Sequence, residues 1–114
     1  MNTRNKGIKW LKLKVSRYFP RGKSWIRKPL WWFEFTESYI SKKGRYVNFL
    51  CQKEKNKNDF YHLRAPTNYL QEHRRQLYFR KDVKRYSLYL SAEPKRKFTE
   101  IHGTGYLDFA QFLL

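Results

Sequence analysis

Cations interleaved with aromatic side chains are the residues best suited to chemistry in this chain. Arg17, Arg21, Lys23, Arg27 and Lys28 surround Trp25 in one stretch. Arg74, Arg75, Arg80, Lys81, Lys84 and Arg85 form a second cluster, and Lys95, Arg96 and Lys97 a third. Lys and Arg neutralise phosphates and release condensed counterions, which drives affinity without regard to sequence. Exposed Trp, Tyr and Phe stack on unpaired bases. The expected ligand is therefore a nucleic acid, RNA or DNA. These fourteen cations and Trp25 are the candidate contacts.

The charge balance supports that expectation. Lys and Arg number 26 against nine Asp and Glu, a formal net charge of +17 on 114 residues. Residues 1–30 hold ten cations and no acid, whereas residues 98–114 hold only Glu100 and Asp108. Such a surplus destabilises a compact state through self-repulsion unless a polyanion lies near. A solvated surface does not require an acid-free run of thirty residues. Arg74 and Arg75, near the end of an expected helix, also have a structural reading, because the helix dipole stabilises cations there.

Catalysis has weaker support. A PD-(D/E)XK nuclease needs an Asp and a (D/E)-x-Lys triplet on neighbouring strands. Asp82-Val83-Lys84 and Glu93-Pro94-Lys95 fit the triplet. Such triplets arise by chance in a Lys-rich chain, and Pro94 would break its strand. Glu34, Asp82, Glu93 and Lys95 are the residues such an enzyme would use; Glu37 and the three His residues form no recognisable constellation with them. No catalytic residue, metal ligand or cofactor is assigned. Gly103-Thr104-Gly105 lacks the Lys of a phosphate-binding loop and reads as a tight turn. Cys51, the single cysteine, reads as a small buried hydrophobe and permits no intrachain disulfide.

The elements that must position these residues follow from periodicity and turn chemistry. Leu11–Ser16 alternates apolar with polar residues and reads as a strand. Phe19–Ser24 is a loop by its Pro and Gly. Trp31–Thr36 is rich in strand formers, and its adjacent Trp31 and Trp32 must face opposite ways, one of them to the core. Tyr46–Cys51 and Phe60–Leu63, either side of a polar run, read as a hairpin that Pro66 ends. A helix is expected over 68–77, capped by Asn68 with Gln71 as its partner, with Tyr69, Leu70, His73 and Leu77 on one face. Tyr86–Leu90 and Phe98–His102 read as strands, and Tyr106–Leu114 as a strand or a short helix begun by Asp108.

Together these elements make a small α+β domain, a mostly antiparallel sheet with one or two helices. One domain spans 1–114, comprising the basic segment 1–30 and the α+β core 31–114. The 22 aromatic residues argue for a folded chain over a disordered basic tail. The longest apolar run, Leu30–Phe33, excludes membrane insertion by a helix. No secretory signal is evident at the N-terminus, so the expected location is intracellular. The RNP aromatic signature, the KH loop, zinc-finger spacing and basic-zipper heptads are all absent.

The leading reading is a small basic nucleic-acid-binding protein of a nucleoprotein assembly or of a phage, mobile-element or defence system. The alternatives are a small metal-dependent nuclease or nuclease subunit, and an interaction or inhibitor protein that docks on an acidic protein surface. Ile101, Tyr106, Leu107, Phe109, Phe112, Leu113 and Leu114 make the C-terminal segment dense in apolar area. That segment either closes the core or docks a protein partner or a second copy.

Overall fold

The computed structural model describes residues 13–53 and 58–114. Among these residues six strands, β1 (Leu13–Ser16), β2 (Leu30–Phe35), β3 (Tyr46–Gln52), β4 (Phe60–Pro66), β5 (Tyr78–Arg80) and β6 (Arg85–Ser91), are joined by one short helix, α1 (Thr67–Glu72), and by 3-10 turns. The α+β class expected from the sequence is the one observed. The strands divide between two three-stranded sheets, ordered β1-β3-β4 and β2-β6-β5. All pairs are antiparallel except β1–β3, which is parallel. The Tyr46–Cys51/Phe60–Leu63 hairpin is present as β3–β4, with Phe49 opposite Leu63.

Each sheet turns one face to a shared core. Strand alternation sends Trp31, Phe33 and Phe35 of β2 and Tyr86, Leu88 and Leu90 of β6 inward. Val47, Phe49 and Cys51 of β3 and Leu63 and Ala65 of β4 come from the other side. Phe49 is central, with ring centroids 4.8 Å from Phe33 and 6.1 Å from Phe109. Trp31 is buried, its indole N–H donating to the Gln52 carbonyl at 2.7 Å, while Trp32 faces outward and is half-buried. The sheets meet at the β1–β2 seam, where the Trp32 backbone N–H donates to Ser16 Oγ at 2.9 Å. Burial holds the Cys51 thiol well above its ordinary pKa, which suppresses thiolate chemistry.

The helix is shorter than its periodicity predicts. It stops at Glu72, His73 leaves helical geometry at φ −106° and ψ 12°, and a 3-10 turn over Arg74–Gln76 leads into β5. The expected capping box does not form. Asn68 Oδ1 accepts the Gly44 N–H at 3.1 Å, and the Gln71 amide donates to the Ile40 carbonyl. Both side chains, with buried Thr67 donating to the Lys42 carbonyl at 2.7 Å, fasten the preceding turn to the helix. Tertiary contacts have taken the groups that local capping would use.

The segment expected as a strand over 98–102 makes only isolated bridges, Leu90–Glu100 and Thr99–Asp108, and Phe98 at its start takes φ 69°. The turn after it depends on glycine. A Cβ at Gly103 would lie 2.0 Å from the Gln76 carbonyl oxygen, and Gly105 has φ +86°. The C-terminal segment mostly closes the core. Leu107 and Phe109 are buried and a 3-10 turn spans Ala110–Phe112, with Asp108 Oδ1 accepting the Ala110 N–H at 2.9 Å. Tyr106, Leu113 and Leu114 remain exposed. Among the described residues no helix is long and apolar enough to cross a membrane.

Candidate nucleic-acid interface

The outward face of the β2-β6-β5 sheet collects aromatic rings. Alternation and register place Trp32 and Glu34 of β2, Arg85, Ser87 and Tyr89 of β6, and Tyr78 and Arg80 of β5 on this face. Trp32 pairs across with Tyr89, and its indole N–H donates to Ser87 Oγ at 3.1 Å. His102, from the loop after the last bridge, stacks on Tyr89 at 3.9 Å with planes 9° apart. Tyr78 lies 4.0 Å from His102 on the same face.

Trp25 reaches the face from the loop between β1 and β2. Phe19 and Leu30 exchange two backbone hydrogen bonds at 3.0 Å, which close the base of that loop. Lys23 and Ser24 turn back onto the Pro20 carbonyl, and buried Ser24 accepts the Arg27 N–H at its own carbonyl. Arg27 takes φ 61° to complete the turn. This folds Trp25 onto the sheet, its indole N–H donating to the Tyr89 hydroxyl at 2.6 Å. Its ring meets Phe19, Trp32 and Tyr89 edge-on at 5.3–5.6 Å. Half its surface stays open to solvent.

The first cation cluster edges this face. The Arg17 guanidinium lies 5.1 Å from the Phe19 ring centroid, and Arg21 Nε donates to the Arg27 carbonyl at 3.2 Å. Lys23 is exposed in the same turn, as is Lys28 just after it. Among the described residues no carboxylate lies within ion-pair distance of Arg17, Arg21, Lys23, Arg27 or Lys28.

The second cluster is divided. Arg80 Nη1 meets Glu34 at 2.7 Å and its Nη2 meets Asp82 at 3.0 Å, so this guanidinium is already engaged. The bond from Arg80 holds the Asp82 carboxyl below its ordinary range. Arg85 pairs with Arg80 in the ladder, and Lys81 and Lys84 are exposed in the β5–β6 turn. Arg74 pairs with Glu37 at 3.3 Å. It shares with Arg75, Lys43, Asn68, Gln71 and Glu72 an open groove of about 440 Å³ beside α1. Arg74 and Arg75 lie beyond the helix end rather than on it.

In the third cluster Lys95 and Arg96 are exposed on a 3-10 turn. Lys97 is half-buried against Tyr61, with Nζ 3.2 Å from the hydroxyl and 5.0 Å from the ring centroid. It is thus turned onto the aromatic group of Tyr61, Phe98 and Trp31 rather than toward solvent.

The carboxylates weighed for a nuclease sit elsewhere than that fold would put them. Asp82-Val83-Lys84 occupies the β5–β6 turn and Glu93-Pro94-Lys95 a 3-10 turn, so neither triplet is on a strand. Glu34 and Asp82 converge on Arg80 rather than on a lysine. Among the described residues no group of three or more His, Cys, Asp or Glu could hold a metal ion.

Sequence reasoning named Trp25 but missed Phe19, Trp32, Tyr78, Tyr89 and His102 as members of one surface. The signal available was the alternation in β2 and β6, which sets Trp32 and Tyr89 opposite to the core residues. Compared with protein-family models, with curated proteins and with solved structures, the chain finds no match in any of the three.

Proposed function

We propose that this protein binds nucleic acid on the outward face of the β2-β6-β5 sheet and the loop that carries Trp25. One observation supports the reading above all: a half-open aromatic surface is edged by Arg17, Arg21, Lys23, Arg27 and Lys28, none with a carboxylate partner among the described residues. Unpaired cations beside open rings combine counterion release with stacking. The polyanion also offsets the self-repulsion of a +17 chain, which suits a place in a larger nucleoprotein assembly.

The test is fluorescence anisotropy with labelled RNA and DNA over a range of salt. Five cations engaged together give a log–log slope of about −3.5 on a single strand, at about −0.7 per phosphate. Reversing Arg21 and Arg27 to Glu should flatten that slope and weaken every probe alike. Salt-independent or absent binding to all probes refutes the reading.

A further inference from the structure

We infer that the ligand of this face is single-stranded nucleic acid and that two of its bases stack on Trp25 and Tyr78. The inference rests on the nucleic-acid reading above and adds which form of the polymer fits.

Trp25 and Tyr78 are the two open ends of one run of rings. Trp25 is 49% exposed and Tyr78 46%, whereas Trp32, Tyr89 and His102 between them are partly covered. The centroid steps from Trp25 to Tyr89, His102 and Tyr78 are 5.3, 3.9 and 4.0 Å. The two open rings are therefore within about 13 Å of each other, within reach of neighbouring nucleotides of one strand. His102 lies against Tyr78, with Tyr89 stacked on the same imidazole. A base laid on the open side of Tyr78 would extend that column.

The rings are held before any ligand arrives. Trp25 is pinned by its bond to the Tyr89 hydroxyl. His102 is pinned by its backbone N–H to the buried Glu100 carboxylate at 3.1 Å, and its loop by the Thr104 N–H, which donates to the Gln76 carbonyl at 2.8 Å. A rigid platform loses little conformational freedom on binding. Cations stand at both ends, Arg17, Arg21 and Arg27 by Trp25 and Arg85 by Tyr78, so a strand crossing the rings meets charge on either side.

A duplex fits this surface less well. Its base faces are hidden in the stack, and its major groove admits a helix or a two-stranded ribbon. The one α-helix described has six residues and turns Leu70 and Thr67 into the core. The β5–β6 ribbon has a three-residue first strand, and Arg80 beside its turn is tied to two acids. Stacking addresses the π-face that every base has, so tolerance of sequence follows.

The experiment measures anisotropy of the full chain on labelled 12-nucleotide single strands of DNA and RNA and on the matched duplexes. The parent, Tyr78→Ala, Tyr78→Phe and Trp25→Ala are compared at several salt concentrations, with thermal melting to confirm folding. The parent should hold a single strand at least tenfold more tightly than either duplex. Which of the RNA and DNA strands survives higher salt identifies the sugar preferred. Tyr78→Ala and Trp25→Ala should each cost about 5- to 100-fold on single strands at an unchanged salt slope, and Tyr78→Phe should restore affinity. Equal or tighter duplex binding, or a folded Tyr78→Ala that binds single strands as the parent does, overturns the inference while leaving nucleic-acid binding intact. Absence of salt-dependent binding to every probe overturns both. Tyr78 is surface-exposed, so its variant decides the matter even if Trp25→Ala fails to fold.

Discussion

Glu100 lies beneath His102 and holds it: the Glu100 carboxylate accepts the His102 backbone N–H at 3.1 Å. The same oxygen accepts the Tyr89 N–H at 2.9 Å, and the second oxygen accepts that of Gly103 at 2.9 Å. Glu100 is fully buried, yet three backbone donors converge on it, which is how a carboxylate is tolerated in a core. One buried acid thus ties the strand bearing Tyr89 to the loop bearing His102, and the two rings stack above it.

Replacing Glu100 with Gln should therefore cost about 1–3 kcal/mol, because an amide NH2 must face at least one backbone N–H and leave it unpaired. Urea unfolding measures the loss. The His102 loop should also gain hydrogen-exchange rate ahead of global unfolding. An unchanged unfolding midpoint would show that the three bonds hold nothing that matters to stability.

Acid should weaken the fold through its histidines. Burial holds the imidazoles of His62 and His102 below their ordinary pKa, and Arg64 adds to the effect at His62. As pH falls below about 6.5 the unfolded chain takes up protons before the native one does, so stability declines on acidification. Burial acts oppositely on Glu100, raising its pKa, so its contribution is greatest at low pH and is lost as pH rises through the raised value. Thermal melts of His102→Phe, which keeps a ring in the stack, should show a shallower loss between pH 7.5 and pH 5.5 than the parent. Identical profiles would remove His102 from the account.

Arg80 offers a gain of charge by subtraction. Glu34 and Asp82 hold its guanidinium at 2.7 and 3.0 Å. Glu34→Gln or Asp82→Asn loosens that hold on a cation next to Arg85 and on the face of Tyr78. Either variant should bind nucleic acid more tightly and steepen the log–log salt slope by about 0.7, one further phosphate contact on a single strand. A slope unchanged in both variants would place Arg80 outside the interface.

The Trp25–Tyr89 hydrogen bond can be removed with little change of shape. Tyr89→Phe keeps the ring on His102 and deletes the hydroxyl that Trp25 Nε1 reaches at 2.6 Å. The expected cost in stability is about 0.5–1.5 kcal/mol, since the freed indole N–H can turn to water. The loop over residues 20–29 should loosen, seen as faster exchange of the Arg27 amide and weaker single-strand affinity. Parent-like exchange there would mean that ring packing alone seats Trp25.

Much of the scaffold was legible because it is written in local periods. Strand-forming residues over 31–36 announced β2, weak alternation over 86–90 announced β6, and the polar run after Gln52 announced the β3–β4 hairpin. The adjacent Trp31 and Trp32 had to face opposite ways, and they do. The apolar spacing Tyr69, Leu70, His73, Leu77 continues across the break at His73, so periodicity predicts a longer helix than the one that forms. Gln71 and Asn68, which local rules assign to a cap, are claimed instead by Ile40 and Gly44 across the fold.

The cations were legible one by one, but not which of them carry a counter-charge. Arg74 and Arg80 find Glu37 and Glu34 at separations of 37 and 46 residues, distances over which sequence spacing says nothing about contact. The sequence alone determined the charge surplus, its concentration outside residues 98–114, and the α+β class, since composition and short-range periodicity need no knowledge of neighbours. Only the tertiary structure decided that Phe19, Trp25, Trp32, Tyr78, Tyr89 and His102 share one surface, with Glu100 buried beneath His102. Sheet register and loop closure bring those residues together from four separate stretches of chain. Such long-range pairings follow from packing the whole core and not from any single segment of it.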